Sequence, residues 1–298
     1  MSTDLSRPLA GKAVVVTGAA AGLGAAYARA LAGLGASVTL ADIDAEGVAR
    51  VADDIRAAGG RAVACHGDVG DWSFGAHLVG ACTQSWGRID ALVNNAGVLI
   101  PARIEDATEA QVAQMIRVNL MGAFACGQAA IAAMRAQPGG GVVINVASGS
   151  QAGDVALSAY GATKGAIAAL TYAWAMECRG SAVRVNAISP LAATAMAAAN
   201  ASFMAAQMAD REIVYGVLPD PAVSAPLVCW LASDAARDIN GQLVRLAGRE
   251  LSLVTHPQIA RPVLVGDWTF DAIGRAFDAI LRAAARPLGL SVERENRA

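Results

Sequence analysis

Short runs of β-branched and other apolar residues recur along this chain, each followed by a longer alanine-rich stretch. That alternation constrains the fold more than any other feature. A strand that is followed by a helix and then by another strand returns to the same sheet only by a crossover, so the pattern predicts a parallel sheet with helices on both faces. Strands are expected at Ala13–Thr17, Ser37–Ala41, Arg61–Cys65, Ala91–Val93, Gly141–Val146, Ala182–Ile188 and Gln242–Leu246. Helices are expected between them at Gly22–Gly33, Ala45–Ala58, Asp71–Trp86, Glu109–Arg135, Ser158–Arg179 and Pro221–Ala232. The fold class is therefore α/β, a doubly wound Rossmann-type sheet of about seven strands in a single domain, with ligands bound beyond the carboxyl ends of the strands. Residues 11–247 carry this pattern, 1–10 read as a leader, and 248–298 read as an extension. Within the extension, Val263–Val265 is an extended piece, and Trp268–Ala285 is an amphipathic helix with Phe270, Ile273, Phe277 and Ile280–Leu281 at helical spacing. The polar end from Ser291 to Ala298 reads as mobile.

Charge excludes some partners. A net charge of −2 without a block of Lys or Arg gives no footprint for nucleic acid. The start carries Asp4 and no apolar run, so it reads as a leader rather than a secretion signal, and the expected location is cytoplasmic. The uncharged run Ala13–Ala28 is glycine-interrupted and too short for a membrane span, and a buried strand followed by a helix explains it. Five cysteines lie scattered without close pairs and three histidines form no ligand pattern, so no metal site is expected.

Directly after the first strand comes Thr17-Gly18-Ala19-Ala20-Ala21-Gly22-Leu23-Gly24, opening a helix. Gly18 permits a tight turn, Gly22 lets the backbone approach a pyrophosphate, and Gly24 allows close packing of helix on strand. The helix N-terminus offers N–H donors to the phosphate. The second strand ends at Asp42, where a carboxylate can accept from the adenosine ribose hydroxyls; the alternative is a helix-opening Asp. Asp68-Val69 ends the third strand, beside an adenine or as a cap for the next helix. Asn94-Asn95-Ala96-Gly97 ends the fourth as a turn of small and polar residues, either passing close to a ligand or an ordinary turn. Together these point to NAD as the cofactor.

At the other end of the pattern, Tyr160 and Lys164 stand four apart on one helix and share a face. A nearby ammonium is expected to stabilise the phenolate and lower the tyrosine pKa, making the pair a proton-transfer catalyst. The fifth strand runs into Asn145-Val146-Ala147-Ser148, which brings a hydroxyl to the same rim.

These motifs, with Asn119 between them, resemble the short-chain dehydrogenase/reductase family in order and approximate spacing from about Gly11 to Ala247. The resemblance implies hydride transfer between nicotinamide and a hydroxyl/carbonyl pair, with Tyr160 as general acid/base and Lys164 binding the nicotinamide ribose. It further implies that Ser148 holds the substrate oxygen, that Asn119 anchors a relay water, and that Pro190 and Thr194 contact the nicotinamide end. Two departures stand out. Ser148 precedes Tyr160 by twelve residues, one fewer than is usual, so Ser150 competes with it; and Leu191 replaces the usual glycine after Pro190. Met196, Phe203, Met204 and Met208 follow as an adaptable apolar surface for a bulky substrate, or as ordinary core residues. The segment from Asp220 onward is similar to the dehydrogenase part of peroxisomal multifunctional β-oxidation enzymes and their stand-alone bacterial relatives. That likeness implies a 3-hydroxyacyl-CoA or a hydroxysteroid as substrate. Alternatives are a small polyol or ketoacyl-carrier substrate, or a catalytically silent scaffold on the same fold. A homodimer or homotetramer through the fourth and fifth long helices is expected.

Overall fold

The computed structural model describes residues 7–207, 218–285 and 289–290. Part of the expected leader joins the fold. Residues 1–6 lie beyond the described residues, but Leu9 is fully buried in the main core and its N–H donates to Leu34 O at 3.1 Å. An isolated leucine among polar residues carries no periodic signal, so this contact is not readable from the sequence.

Eight strands form one sheet: β1 (Ala13–Thr17), β2 (Ser37–Asp42), β3 (Arg61–His66), β4 (Ala91–Asn94), β5 (Gly141–Val146), β6 (Val183–Pro190), β7 (Leu243–Ala247) and β8 (Glu250–Val254). Their order is β3-β2-β1-β4-β5-β6-β7-β8, parallel throughout except for β8, which runs antiparallel to β7. The order reverses between β1 and β4, and this switch point opens a crevice at the strands' carboxyl ends. β8 is one strand more than the sequence pattern suggested, and it takes the first residues of the expected extension into the sheet. Gly248, at φ +62°, makes the two-residue turn with Arg249 that lets the chain reverse there.

The helices are α1 (Gly22–Gly33), α2 (Ala45–Ala57), α3 (Trp72–Trp86), α4 (Glu109–Met115), α5 (Ala123–Ala136), α6 (Ser158–Glu177), α7 (Ala195–Gln207), α8 (Ala225–Ala232) and α9 (Phe270–Ala276). Successive residues of β1 point to opposite faces. Val14 and Val16 pack with Tyr27 and Leu31 of α1, Val51 of α2 and Val228 of α8. Ala13 and Val15 pack with Leu78 and Cys82 of α3, Cys126 and Met134 of α5 and Trp174 of α6. Both faces are thus covered, which explains why the strands read as unbroken apolar runs. Fully burying a Leu or Val contributes about 1.5–3 kcal/mol, so these two cores carry most of the stability.

Helix ends follow local chemistry. Asp44 and Asp71 cap α2 and α3 by accepting from Gly47 N and Ser73 N, and Thr108 with Gln111 forms a capping box on α4. α4 and α5 form one continuous helix, Glu109–Ala136, through a π-helical stretch, Ile116–Gly122. Its length and composition would suit a bilayer, yet Cys126, Ala130 and Met134 face the core. α7 occupies the alanine-rich stretch after Thr194, where Met204 is buried; Met208 lies outside the described residues.

The remainder of the extension packs loosely. Val263–Val265 forms no strand, and α9 with the turn Phe277–Leu281 leaves no residue buried, Phe270 being 93% exposed. The expected apolar face exists, and among the described residues little covers it. Residues 291–298 lie outside the described residues.

Candidate active site

Thr17 ends β1 with its side chain buried, and its Oγ1 accepts from both Asn95 N and Ala96 N at 3.0 Å. Asn95 returns the contact, donating from Nδ2 to Thr17 O at 2.9 Å and Gly18 O at 3.1 Å. The turn after β4 is therefore fastened to the turn after β1 across the switch point. A Cβ at Gly24 would stand 2.0 Å from Gly18 O, and one at Gly18 would stand 2.8 Å from Ala96 Cα. Only glycine lets these backbones meet. Gly22, at φ +54°, is exposed at the opening of α1, and Ala21 supplies no capping side chain, so the first-turn N–H groups have no side-chain acceptor. Leu23 follows, half-buried against the core.

Asp42 does not cap α2, since Asp44 does that. One Asp42 carboxylate oxygen accepts from Ala20 N at 2.9 Å and the other from Asp44 N at 3.0 Å, which places the charge against the glycine turn. Nor is Asp68 a cap. It accepts from Gly70 N at 2.8 Å and pairs with Arg117 at 2.7 Å. Partial burial works against its charge, but the Arg117 and Gly70 hydrogen bonds and the guanidinium outweigh it and hold the carboxyl below its usual range. Val69 beside it is buried against α3.

The second cluster lies on the other side of β4. Tyr160 and Lys164 occupy the first turns of α6, both buried. Lys164 Nζ donates to Val146 O at 2.7 Å and stands 5.7 Å from the centroid of the Tyr160 ring. Here the sequence expectation needs correcting, because burial pushes the Tyr160 phenol up rather than down, and a hydrogen bond with the Ser148 side chain only partly opposes it. Burial also brings the Lys164 ammonium down to about 8. Desolvation favours the neutral form of both groups, and at 5.7 Å from the ring the ammonium does not reverse it. Ser148 stands two residues after β5 and caps the turn Gly149–Ala152, with its Oγ accepting from Ser150 N at 3.2 Å. Ser148 Oγ also donates to Ser150 Oγ, and Ser150 Oγ to Asp154 Oδ2 at 3.2 Å. Of the two candidate serines, Ser148 is the one that meets the tyrosine.

Asn119 sits in the π-helical stretch and is buried. Its Oδ1 accepts from Val98 N at 2.7 Å, and its Nδ2 donates to Val98 O at 2.9 Å and Thr163 Oγ1 at 3.1 Å. Thr163 in turn donates to Tyr160 O at 2.8 Å. Both carboxamide N–H groups are thus committed to protein, and Asn119 ties the loop after β4 to the tyrosine helix. Gly97 lies between the clusters, where a Cβ would be 3.2 Å from Asn119 Oδ1 and 3.8 Å from Lys164 Nζ. After β6, Leu191 N donates to Leu246 O at 3.1 Å and adopts no positive φ, so leucine is accommodated where a glycine was expected. Thr194 caps the start of α7 by accepting from Ala197 N and closes over the glycine turn, its Cγ2 lying 3.6 Å from where a Gly22 Cβ would stand. Pro190 begins this loop at the end of β6. Met196 packs against the Tyr160 cluster with Met115 and Leu157.

The contacts above link the glycine turn with Asp42, Asn95, Ala96 and Thr194, and Asn119 with Gly97, Tyr160 and Lys164, whereas Leu23 and Val69 pack into the cores. The arrangement fits a dinucleotide. A bare α-carbon at exposed Gly22, uncapped N–H groups at α1 and a carboxylate at Asp42 gather at the glycine turn, and Gly97 joins that side to Asn119 and Lys164. The sequence reading missed Thr17, Arg117 and Thr163, which hold these groups in place. Arg117 stands 49 residues from its partner and has no local signal, whereas Thr163 lies within the Tyr160–Lys164 motif itself.

The sequence profile of short chain dehydrogenases matches residues 12–205. A cis-4-hydroxycyclohexanecarboxylate dehydrogenase of Sinomonas cyclohexanicum is 37% identical over 82% of this chain and 98% of its own. The hydroxyacyl-CoA dehydrogenase ChsB1 of Mycobacterium tuberculosis is 36% identical over 93% of this chain and 86% of its own. A crystal structure of a short chain dehydrogenase from Mycobacterium avium superposes with a TM-score of 0.81 at 32% identity, covering 94% of this chain and 97% of that one. With the glycine turn, Asn119, Ser148, Tyr160 and Lys164 in place on a Rossmann sheet, the chain belongs to the short-chain dehydrogenase/reductase family, whose members are oxidoreductases that use a nicotinamide cofactor.

Proposed function

We propose that this chain is an NAD-dependent dehydrogenase of bulky secondary alcohols, with 3-hydroxyacyl-CoA thioesters as the favoured class and hydroxysteroids next. The observation that carries the substrate reading is the reach of the likeness. The match to ChsB1 covers 93% of the chain and so enters the extension, whereas the match to the cyclohexanecarboxylate enzyme covers 82%. The Met196 surface and buried Met204 on α7 border the same rim and suit an apolar substrate. A second reading, a small cyclic or polyol alcohol, is favoured by the 37% identity to the cyclohexanecarboxylate enzyme. A panel of 3-hydroxyacyl-CoA esters, hydroxysteroids and small diols ranks the two. The first reading expects kcat/KM at least about tenfold higher on the acyl-CoA esters, equivalent to about 1.4 kcal/mol; a higher value on small diols overturns it.

In this reading the glycine turn, Asp42, Asp68 and Asn95 to Gly97 hold the dinucleotide, which when bound supplies the hydride acceptor. Tyr160 Oη, in its phenolate form, takes the proton of the substrate hydroxyl, Ser148 Oγ holds the substrate oxygen, and Lys164, anchored on Val146 O, would bind the nicotinamide ribose. Asn119 keeps the tyrosine helix against the loop after β4. The protein's part is positioning and electrostatics.

Asp42 carries the choice of NAD over NADP. A 2′-phosphate set there would face a carboxylate at ~4 Å, which at an effective dielectric of ~20 costs about 4 kcal/mol per unit charge before screening. No basic residue offsets it locally, since Ala21 precedes Gly22 and Ile43 follows Asp42. NAD should therefore be preferred by at least about tenfold in kcat/KM, with the preference relaxed in Asp42→Ala. Equal kcat/KM with both cofactors in the unmutated enzyme rules this assignment out. We also propose a homodimer or homotetramer formed by α4 to α6, where Ile116, Met121 and Met176 leave apolar side chains open; light scattering that returned only the 30.1 kDa monomer would overturn it.

A further inference from the structure

The end of the described chain returns to the turn that carries Ser148. A Cβ on Gly149 would stand 3.2 Å from Arg245 Nη1 and 3.4 Å from Leu290 Cδ2, so both side chains press against the bare α-carbon of the residue after the serine. One residue before Leu290, a Cβ on Gly289 would lie 4.0 Å from Gly153 O at the far end of the same turn. Arg245, on β7, is tethered by donating from Nη1 to Ser189 Oγ at 3.4 Å at the end of β6, and among the described residues it forms no ion pair. A guanidinium spent in this way on a neutral hydroxyl and a glycine is placed for contact rather than for charge.

We propose that Arg245 and Leu290 are positioning residues for Ser148, and that Gly289–Leu290 of the extension thereby form part of the catalytic wall. This inference rests on the reading that Ser148 holds the substrate oxygen. Within its own turn, Ser148 is held by bonds of 3.2–3.3 Å to Ser150, which are at the long end for hydroxyl groups. The turn then ends at Gly153, at φ +104°, around which a Cβ would touch nothing. The side-chain bonds are thus long, and packing sets the turn from two directions: α6 meets it at Ser150, where a Cβ on Gly161 would stand 2.5 Å from Ser150 O, and Arg245 with Leu290 meets it at Gly149, the residue next to Ser148. A displacement of about 1 Å at a reacting group lowers a rate by up to about a hundredfold.

The test is a double-mutant cycle on the full chain, using NAD and the best substrate of the panel, with kcat and KM measured separately. Leu290→Ala and Arg245→Met should each lower kcat about tenfold while the KM for NAD stays constant, because neither side chain is among the groups read as holding the dinucleotide. In a Ser148→Ala background, Leu290→Ala should have less than about a twofold further effect, since nothing remains to be positioned. Leu290→Met, which keeps the apolar contact, should restore the rate. An unchanged kcat in both single variants, or the same loss with and without Ser148, overturns the proposal. Full activity in Ser148→Ala alone instead overturns the reading of Ser148 on which it rests, and the two failures are thereby distinguished. Leu290 is 39% exposed, so its substitution leaves the fold intact.

Discussion

Tyr160→Phe is expected to leave no more than a few per cent of turnover while the dissociation constant for NADH stays nearly unchanged. General acid/base groups contribute about 10²–10⁴ in rate, and the loss of the phenolic oxygen removes the group read as taking the substrate proton. Phenylalanine keeps the ring that packs with Met115 and Leu157, so the fold and the neighbouring cofactor groups are spared. Burial pushes the Tyr160 phenol up and the Lys164 ammonium down to about 8, so the free pocket disfavours the charged pair that catalysis needs. Tyr160 is thus held neutral and Lys164 remains mostly protonated near neutral pH. The measurement is steady-state turnover beside a fluorescence titration with NADH. Activity above a few per cent removes Tyr160 from the mechanism.

Ser148→Ala carries the next largest effect, a fall in kcat of about two to four orders of magnitude, the scale of losing one oriented polar group at a developing charge. Ser150→Ala should do little. Ser150 Oγ is hydrogen-bonded between Ser148 and Asp154, so its removal trims the hydrogen-bond chain behind the serine. Rates of the two variants on the same alcohol decide the matter. The reverse ranking would show that the shortened spacing before Tyr160 shifts the serine role to Ser150.

The parallel sheet and its rim were legible because their causes are local. Buried strands such as β1 and β5 read as apolar runs, and the glycine turn, Asp42 and the Tyr160–Lys164 phase lie within short windows. What escaped the reading depends on distant partners or on burial. β8 needs β7 beside it, and its best local signal is Gly248 at the hairpin turn rather than periodicity, because Glu250–Val254 is exposed over most of its length. Leu9 joins the core through Leu34, and Arg117 finds Asp68 across the molecule. The raised phenol of Tyr160 could not come from spacing alone, since an i,i+4 lysine says nothing of desolvation. Likewise, the π-helical stretch that seats Asn119 against Val98 and Thr163 is set by packing, with no sequence period of its own.

The extension links two questions that the catalytic residues leave open. Its last described residues meet the serine turn, while α9 presents Phe270, Ile273 and Phe277 to solvent.

The central claim is that Tyr160, Lys164 and Ser148 on this rim serve a direct hydride transfer from a secondary alcohol to NAD. It is tested most directly by following nicotinamide absorbance as the purified full chain is mixed with NAD and a 3-hydroxyacyl-CoA ester deuterated at its carbinol carbon. The account predicts reduction of the nicotinamide, with the deuterium recovered on its ring and none in solvent. Deuterium lost to water would contradict direct transfer, and binding of NADH without reduction of NAD by any alcohol of the panel would leave a silent nucleotide-binding protein in place of an enzyme.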